Sequence, residues 1–157
     1  MGRTAIRDHH LIVGHLIIGI GNRFRRDDGV GPRVAERLWQ RGLPTLELSG
    51  EGAGLIEAWS SAGRVVVVDA VASGAAPGTL YRFDAVQTEL PRRVLRASSH
   101  LFGLAEAVAT ARALGQLPPE LIVHGVEGGD FGFGEELSPA VAEAAETLVQ
   151  RIAEEFL

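Results

Sequence analysis

Three side chains that could bind a divalent metal ion or move protons lie in three separate parts of the chain: Asp28, Asp69 and His100. Asp28 lies in a loop after a short apolar segment, Asp69 ends the clearest predicted strand, and His100 follows two serines. First-row divalent ions such as Ni²⁺ and Zn²⁺ accept carboxylate and imidazole ligands. Three protein ligands leave coordination positions open for a substrate group, and a carboxylate could also act as a general base.

Each of these residues also has a structural interpretation. Asp28 precedes a predicted helix, where an aspartate commonly caps the helix N-terminus. Asp69 could cap a turn or a neighbouring helix. His100 could belong to the cap of the helix that follows it. The functional interpretation therefore depends on whether the fold brings all three residues together.

The elements that would position them alternate along the chain. Strands are predicted at residues 16–20, 45–48, 64–69, 79–83 and 121–126. Helices are predicted from Val30, over residues 53–60, from Ser98 to about Leu114, and from Pro139 onwards, with Ser138 as the cap of the last helix. This alternation predicts an α/β fold, a single three-layer domain with a mainly parallel twisted sheet and helices on both faces.

Such a sheet would concentrate the chemistry at one edge, because ligands of open α/β sheets bind outside the carboxyl ends of the strands. Asp27 and Asp28 follow the first strand, and Asp69 ends the third. His100, at the first turn of its predicted helix, reaches the same edge if the strand before that helix runs in the same direction as the others. Glu127 follows the last strand and is a candidate for substrate contact.

Composition excludes several classes of protein. The chain has 157 residues, enough for one domain, with residues 1–15 predicted to be an N-terminal extension and residues 16–157 the domain itself. It has no cysteine, so disulfides, zinc-thiolate sites and cysteine nucleophiles are excluded. The net charge of −5 disfavours nucleic-acid and anionic-membrane partners, although Arg23, Arg25 and Arg26 cluster in one loop. A polar start without a signal-peptide pattern predicts a cytoplasmic protein.

Common catalytic and nucleotide-binding motifs are incomplete or absent. Gly19-Ile20-Gly21 begins like a dinucleotide fingerprint, but Phe24 stands where its third glycine belongs. The sequence contains no P-loop, no G-x-S-x-G elbow and no H-E-x-x-H zinc motif. His124 lies within an apolar strand and is interpreted as a core histidine.

From Leu16 to the last helix, the chain resembles the nickel–iron hydrogenase maturation endopeptidases. The matching motifs follow the order of that family: Gly19-Ile20-Gly21-Asn22, Asp27-Asp28-Gly29-Val30-Gly31, Val68-Asp69-Ala70, Pro77-Gly78-Thr79, Ser99-His100, Gly103-Leu104 and Leu137-Ser138-Pro139. Peptidyl-tRNA hydrolases open with a similar Gly-Asn, so the specificity of the resemblance depends on the acidic pair, the strand-end aspartate and the later histidine together.

The resemblance implies an endopeptidase that removes the C-terminal extension of a hydrogenase large-subunit precursor after nickel insertion. The implied partner is that precursor, which carries the nickel, and no organic cofactor is implied. The family's metal-site positions fall on Asp28, Asp69 and His100, so these are the expected catalytic and metal-binding residues. Many members of the family have glutamate at the position of Asp28.

The sequence departs from the family after the second strand, where many members read Asp-Gly-Gly-Thr and this chain reads Ser49-Gly50-Glu51-Gly52. Glu51 is the nearest acidic group there, and we expect it to contact the substrate together with Asp27 and Glu127. Two other functions remain open at this point. One is a self-sufficient metallopeptidase acting on ordinary peptides, and the other is a nucleotide-binding α/β module.

Overall fold

The structure, a computed structural model, describes residues 14–91 and 102–156. Its elements in chain order are β1 (His15–Ile20), a short 3₁₀ helix (Arg26–Gly29), α1 (Val30–Gln40), β2 (Thr45–Leu48), α2 (Gly52–Trp59), β3 (Arg64–Val71), β4 (Leu80–Asp84), α3 (Leu104–Ala113), β5 (Glu120–Glu127) and α4 (Pro139–Phe156). None of the helices in these ranges is both long enough and apolar enough to cross a bilayer.

The five strands form one sheet in the order β2-β1-β3-β5-β4. The first four in that order run parallel, and β4 pairs antiparallel with β5 at one edge. Register places Gly19 beside Val68 and Asp69 beside Gly125. The predicted mainly parallel sheet, with residues 79–83 at an edge, is confirmed.

Helices cover both faces of the sheet and bury two apolar clusters. Residues of α1 and α4 pack with one face, and residues of α2 and α3 pack with the other. Successive side chains of a strand point to opposite faces, and β3 shows this directly. Val66 and Val68 belong to the first cluster, whereas Val65 and Val67 belong to the second. The run of valines is therefore apolar at every position because the strand is covered on both sides, and the predicted three-layer architecture is confirmed.

The predicted bounds of α2, β4 and β5 are each off by one residue, and three other boundaries also differ. Helix α3 begins at Leu104 with Gly103 as its N-cap, not at Ser98 as predicted. Strand β3 continues two residues beyond Asp69, as far as Val71. The predicted extension of residues 1–15 lies outside the described residues except for its last two, and His15 is already the first residue of β1.

Candidate active site at the carboxyl edge of the sheet

The loop after β1 is folded tightly against the carboxyl ends of β1 and β3. At Gly31, in the first turn of α1, an added Cβ would lie 2.4 Å from the Ile20 carbonyl oxygen and 2.5 Å from that of Val68. Gly21 has a φ of +146°, and a Cβ there would lie 1.9 Å from the carbonyl oxygen of Asp28. These close approaches bring the start of α1, and Asp28 with it, directly beside β3.

Asp28 and Asp69, which we call the site pair, are both buried at this edge, with 8% and 3% of their surface exposed. An Asp28 side-chain oxygen accepts a hydrogen bond from the Asn22 backbone N–H at 2.9 Å. An Asp69 side-chain oxygen accepts one from the Ala70 N–H at 2.8 Å. The two carboxylates, from separate segments of the chain, are close enough for the charge of one to act on the other.

The electrostatics of the site pair are unfavourable for two negative charges. Burial and then the charge of Asp28 raise the pKa of Asp69 to about 8, against a single opposing hydrogen bond from Ala70. Within residues 14–91 and 102–156, Asp69 forms no ion pair that would offset this cost. Asp69 therefore holds a proton near neutral pH, and the site would gain from binding a cation in place of that proton.

Asp27, the neighbour of Asp28, has the opposite surroundings. Its carboxylate accepts hydrogen bonds from the Gly129 N–H at 2.8 Å, the Asp130 N–H at 2.9 Å, and the backbone N–H and hydroxyl of Ser138, both at 2.8 Å. Burial alone would raise the pKa of Asp27, but these hydrogen bonds outweigh it and the pKa lies below its ordinary value. Asp27 thus fastens the loop after β1 to the loop after β5.

Glu127 fastens a second pair of segments in the same way. The side chain is 1% exposed, and its oxygens accept hydrogen bonds from the Ser73 N–H at 2.8 Å, the Ser73 hydroxyl at 2.6 Å, the Gly74 N–H at 3.1 Å and the Tyr81 hydroxyl at 3.2 Å. We call Asp27 and Glu127 the anchor carboxylates. Both were predicted to contact substrate, which stays a prediction; in the structure each accepts four hydrogen bonds and joins two segments of the chain.

Glu51, the third predicted substrate contact, is exposed and caps α2. Its carboxylate accepts hydrogen bonds from the Gly54 N–H at 3.2 Å and the Ala53 N–H at 3.4 Å. A carboxylate at a helix N-terminus satisfies free backbone donors and interacts favourably with the helix dipole. The side chain therefore has a local function, whether or not it also meets a substrate.

His100 lies outside the described residues, so its assignment as a catalytic and metal-binding residue stays a prediction. Among the residues that are described, no group of three His, Asp or Glu side chains is placed to hold a metal ion. The site pair supplies two ligands at most. Any metal bound there needs its further ligands from His100, from the substrate or from both.

The arginines of the first loop are paired within the chain. Arg23 lies 2.7 Å from Glu47 and 3.1 Å from Glu36, and Arg26 lies 2.9 Å from Asp130. Arg23 and Arg26 of the predicted cluster therefore bind three acidic neighbours on different segments, and Arg25 donates to the Phe131 carbonyl at 3.2 Å. None of these ion pairs involves the site pair, so these arginines hold the loop in place.

Sequence reasoning missed two features of this site. Ser138 was predicted to cap the last helix, which does begin at Pro139 as predicted, but its hydroxyl donates to Asp27. The Ser73 and Tyr81 partners of Glu127 were not identified at all. His124, in contrast, is a buried core residue as interpreted from the sequence, because only 4% of it is exposed. Burial, then the charges of Arg82 and Arg151, lower its pKa to about 4.

Comparisons with known proteins agree with this geometry. A family model for hydrogenase maturation proteases of the HycI type matches residues 32–155, a range that includes Asp69 and begins just after Asp28. Hydrogenase expression/formation protein HupD of Thiocapsa roseopersicina is 35% identical over 151 residues, covering 86% of this chain and 67% of that protein.

Solved structures show the same architecture. The [NiFe] hydrogenase maturation protease HybD from Thermococcus kodakarensis aligns with a TM-score of 0.72 and 26% identity, over 92% of this chain and 99% of that one. The hydrogenase maturating endopeptidase HybD from E. coli aligns with a TM-score of 0.75 and 25% identity, over 89% of this chain and 90% of that one. The family match and the identity to HupD lead to one conclusion: the chain belongs to the hydrogenase maturation protease family.

Proposed function

We propose that this chain is the endopeptidase that removes the C-terminal extension of a nickel–iron hydrogenase large-subunit precursor once nickel has been inserted. Membership of the maturation protease family makes it a hydrolase of peptide bonds in hydrogenase maturation. The observation that carries the finer proposal is the site pair, two buried carboxylates whose mutual repulsion and burial raise the pKa of Asp69 to about 8.

The site pair fits a cation delivered by the substrate. Burial of Asp69 and its repulsion by Asp28 favour a divalent ion that arrives with the precursor, because a cation would offset both. Asp28 and Asp69 would then be ligands to the precursor's nickel, and His100 the third, as the family resemblance implies. A precursor without nickel would meet two repelling carboxylates and would not be held in position.

The same pair can also take part in proton transfer. Two interacting carboxyl groups titrate as a unit, with one proton shared between them over a range of pH. A protonated carboxyl can donate to the leaving amine while an ionised one accepts a proton from the attacking water, as in proteases that use two aspartates. This supports an aspartate-dependent hydrolysis, and the precursor's nickel would polarise the scissile carbonyl. Because nickel bound by both carboxylates would displace the shared proton, we propose proton transfer only for a carboxylate that the nickel leaves unligated.

Intact mass of the cognate large-subunit precursor, incubated with this protein, tests the proposal. We expect loss of one C-terminal fragment from the nickel-loaded precursor and no cleavage of the nickel-free precursor. Equal cleavage of both would remove the metal requirement and leave the carboxylate pair alone as the catalyst. No cleavage of a precursor with confirmed nickel content would overturn the proposed function.

Neither alternative function has a specific observation in its favour. A self-sufficient metallopeptidase needs its own metal site, and no three-ligand group occurs among the residues that the structure describes. A nucleotide-binding module needs space beside the glycines of the first loop. The carbonyl oxygens of Gly31 and Asp28 fill that space at Gly19 and Gly21, respectively, and would repel a phosphate. The cytoplasmic location stays a prediction from sequence.

A further inference from the structure

Three phenylalanines expose their rings at the carboxyl edge of the sheet. Among the described residues, the exposed large apolar side chains are Phe24 (61%), Trp39 (41%), Phe102 (37%), Leu114 (62%) and Phe133 (94%). Phe24 follows β1, Phe133 follows β5, and Phe102 precedes α3, so all three lie at the edge that holds the site pair. Trp39 and Leu114 lie at the far ends of α1 and α3, toward the opposite edge.

Phe24 and Phe133 are held close to each other by backbone hydrogen bonds. The Gly134 N–H donates to the Phe24 carbonyl at 2.9 Å, and the Arg26 N–H donates to the Gly134 carbonyl at 2.8 Å. Asp27 binds the same two loops together through its four hydrogen bonds. Both rings are therefore presented by a fixed two-loop frame that also carries Asp28.

Phe102 is fixed from the other side of the sheet. Its carbonyl accepts a hydrogen bond from the Gly52 N–H at 2.8 Å. Its ring lies so close to Gly52 that a Cβ there would be 2.0 Å from the ring carbon Cδ2. We call Phe24, Phe102 and Phe133 the aromatic rim. Each ring comes from a different loop, and all three loops converge on the carboxyl edge.

The rim has the composition of a protein-binding surface. Single exposed apolar residues are normal on a protein surface. Three exposed aromatic residues at one functional edge are less usual, because aromatic residues are enriched at protein interfaces and often contribute much of the binding energy. Two exposed carboxylates, Glu135 and Glu136, follow Phe133, and no ion pair of the described residues neutralises them. A matching partner presents apolar side chains with basic residues beside them.

We propose that the aromatic rim binds apolar side chains of the precursor polypeptide next to the cleaved bond, with basic residues of the precursor facing Glu135 and Glu136. The inference rests on the proposed function, because the occupant is the protein substrate that must reach the site pair. The rim lies at the same edge of the sheet as that pair, and Phe24 lies on the loop that carries Asp28, so a polypeptide that reaches the site passes along the rim. The rim therefore contributes to substrate affinity and not to the chemical step.

A double variant, Phe24→Ser with Phe133→Ser, tests the rim. Titration of the precursor should show KM raised by about 10-fold or more, as expected for the loss of interface aromatics, with kcat changed much less. Leu114→Ser is the matched control, because it removes an equally exposed apolar side chain from the opposite edge, and its KM should stay that of the wild type. Phe102 is left unchanged because its ring packs on Gly52.

A binding measurement separates affinity from cleavage. In an Asp69→Asn background, where the precursor stays uncut, the double rim variant should bind the nickel-loaded precursor about 10-fold more weakly than its parent. Glu135→Gln with Glu136→Gln in the same background should weaken the salt dependence of binding. The melting temperature of each variant is measured to check that the fold is retained.

Each outcome either supports or overturns the proposed binding of the precursor by the rim. If KM and affinity are unchanged in the double variant while the wild type processes the precursor normally, the rim does not bind the precursor, and the proposed function stands. A fall in kcat at constant KM would also overturn it. If sedimentation shows a wild-type dimer that the double variant converts to monomers while KM stays constant, the occupant is a second copy of this chain. Absence of processing by the wild type is instead a failure of the proposed function.

Discussion

Asp27 and Asp28 are neighbours in sequence, both are buried, and their carboxylates have opposite surroundings. Asp27 is met by four hydrogen-bond donors, and its pKa lies below the ordinary value. Asp28 lies instead near a second carboxylate, and its charge helps to raise the pKa of Asp69 to about 8. At Asp27 the protein offsets the cost of burying a charge, whereas the charge of Asp28 adds to the cost of burying Asp69.

The same contrast recurs on the next two strands. Asp69 and Glu127 lie near the carboxyl ends of the adjacent strands β3 and β5. Glu127 receives four hydrogen bonds, whereas Asp69 receives one, from Ala70. Burial alone therefore does not distinguish a structural acid from a functional one. The number of donors does, because an acid left without them is destabilising unless a ligand or a proton completes its surroundings.

The largest effect should follow Asp69→Asn. The amide keeps the shape of the side chain and an oxygen for the Ala70 N–H, but it removes one of the two charges that would hold a cation or share a proton. We expect precursor processing to fall by more than about 100-fold, since even groups outside a metal's direct ligands are commonly worth about 10- to 100-fold. Intact-mass analysis of the precursor over time measures the rate.

The free energy of unfolding of the same variant sharpens the comparison. Folding at pH 7 requires Asp69 to take up a proton that the unfolded residue has lost, a cost that the amide avoids, so stability at pH 7 should be equal to or higher than that of the wild type. Chemical denaturation measures it. A variant that loses both stability and activity would place Asp69 among the anchor carboxylates, and wild-type processing by the variant would remove Asp69 from the site.

Asp27→Asn makes the identical chemical change one residue away from Asp28 and should have the opposite effect on stability. The amide oxygen can accept some of the four hydrogen bonds, but its NH₂ group faces donors in a buried position. We expect a loss of about 3 kcal/mol in the free energy of unfolding, typical of leaving buried donors unsatisfied beside a lost charge-assisted bond. Urea denaturation checks this, and a loss below that of an exposed-site control such as Leu114→Ser would contradict the anchor role.

The pH dependence of the free energy of unfolding should show an effect of intermediate size. It is a third way to distinguish Asp69 from Asp27. Folded Asp69 keeps its proton up to about pH 8, whereas the unfolded residue loses it near the ordinary aspartate pKa of 3.8. Between these values the folded state binds more protons, so Asp69 makes stability fall as pH rises through that window. Asp27, with a lowered pKa, contributes stability that is lost only as pH falls below its unfolded value.

His124 acts in the opposite direction over part of the same range. Its pKa falls from 6.5 to about 4 in the folded state, so stability is lost as pH falls through that interval. The contribution of Asp69 is therefore the free energy of unfolding of the wild type minus that of Asp69→Asn. Denaturation from pH 4 to pH 8 with a chelator present measures both. A difference that does not change with pH would show that Asp69 is not protonated in the folded protein.

The fold was predictable from the sequence because its signals are local. Unbroken apolar runs mark strands that are covered on both faces, and β3 and β5 are two such strands. Their alternation with helical segments fixes the parallel topology, and the topology places Asp28 and Asp69 at one edge. The start of α3 was misplaced because Ser98-Ser99 reads like a helix cap, whereas the chain uses Gly103.

Which acidic residues are anchor carboxylates and which form the site pair was not predictable from local sequence signals. Asp27 and Asp28 have the same side chain and adjacent positions, and the donors that distinguish them come from residues about one hundred positions away, Gly129 to Ser138. No local pattern encodes such a distant contact. Ser138-Pro139 was read correctly as a helix start, but the hydroxyl's partner could only be found in three dimensions.

The smallest effect should follow substitution of Glu51, an exposed carboxylate that neither anchors two loops nor faces a second acid. Glu51→Ala removes the cap of α2, whose two hydrogen bonds are 3.2 and 3.4 Å long, and should cost about 1 kcal/mol or less of the free energy of unfolding. Glu51→Ser restores a capping oxygen without the charge, so its stability should return to that of the wild type. The KM of the serine variant for the precursor then measures the effect of the Glu51 charge alone. A KM equal to that of the wild type would make Glu51 a helix cap alone, whereas a raised KM with normal stability would establish the predicted substrate contact.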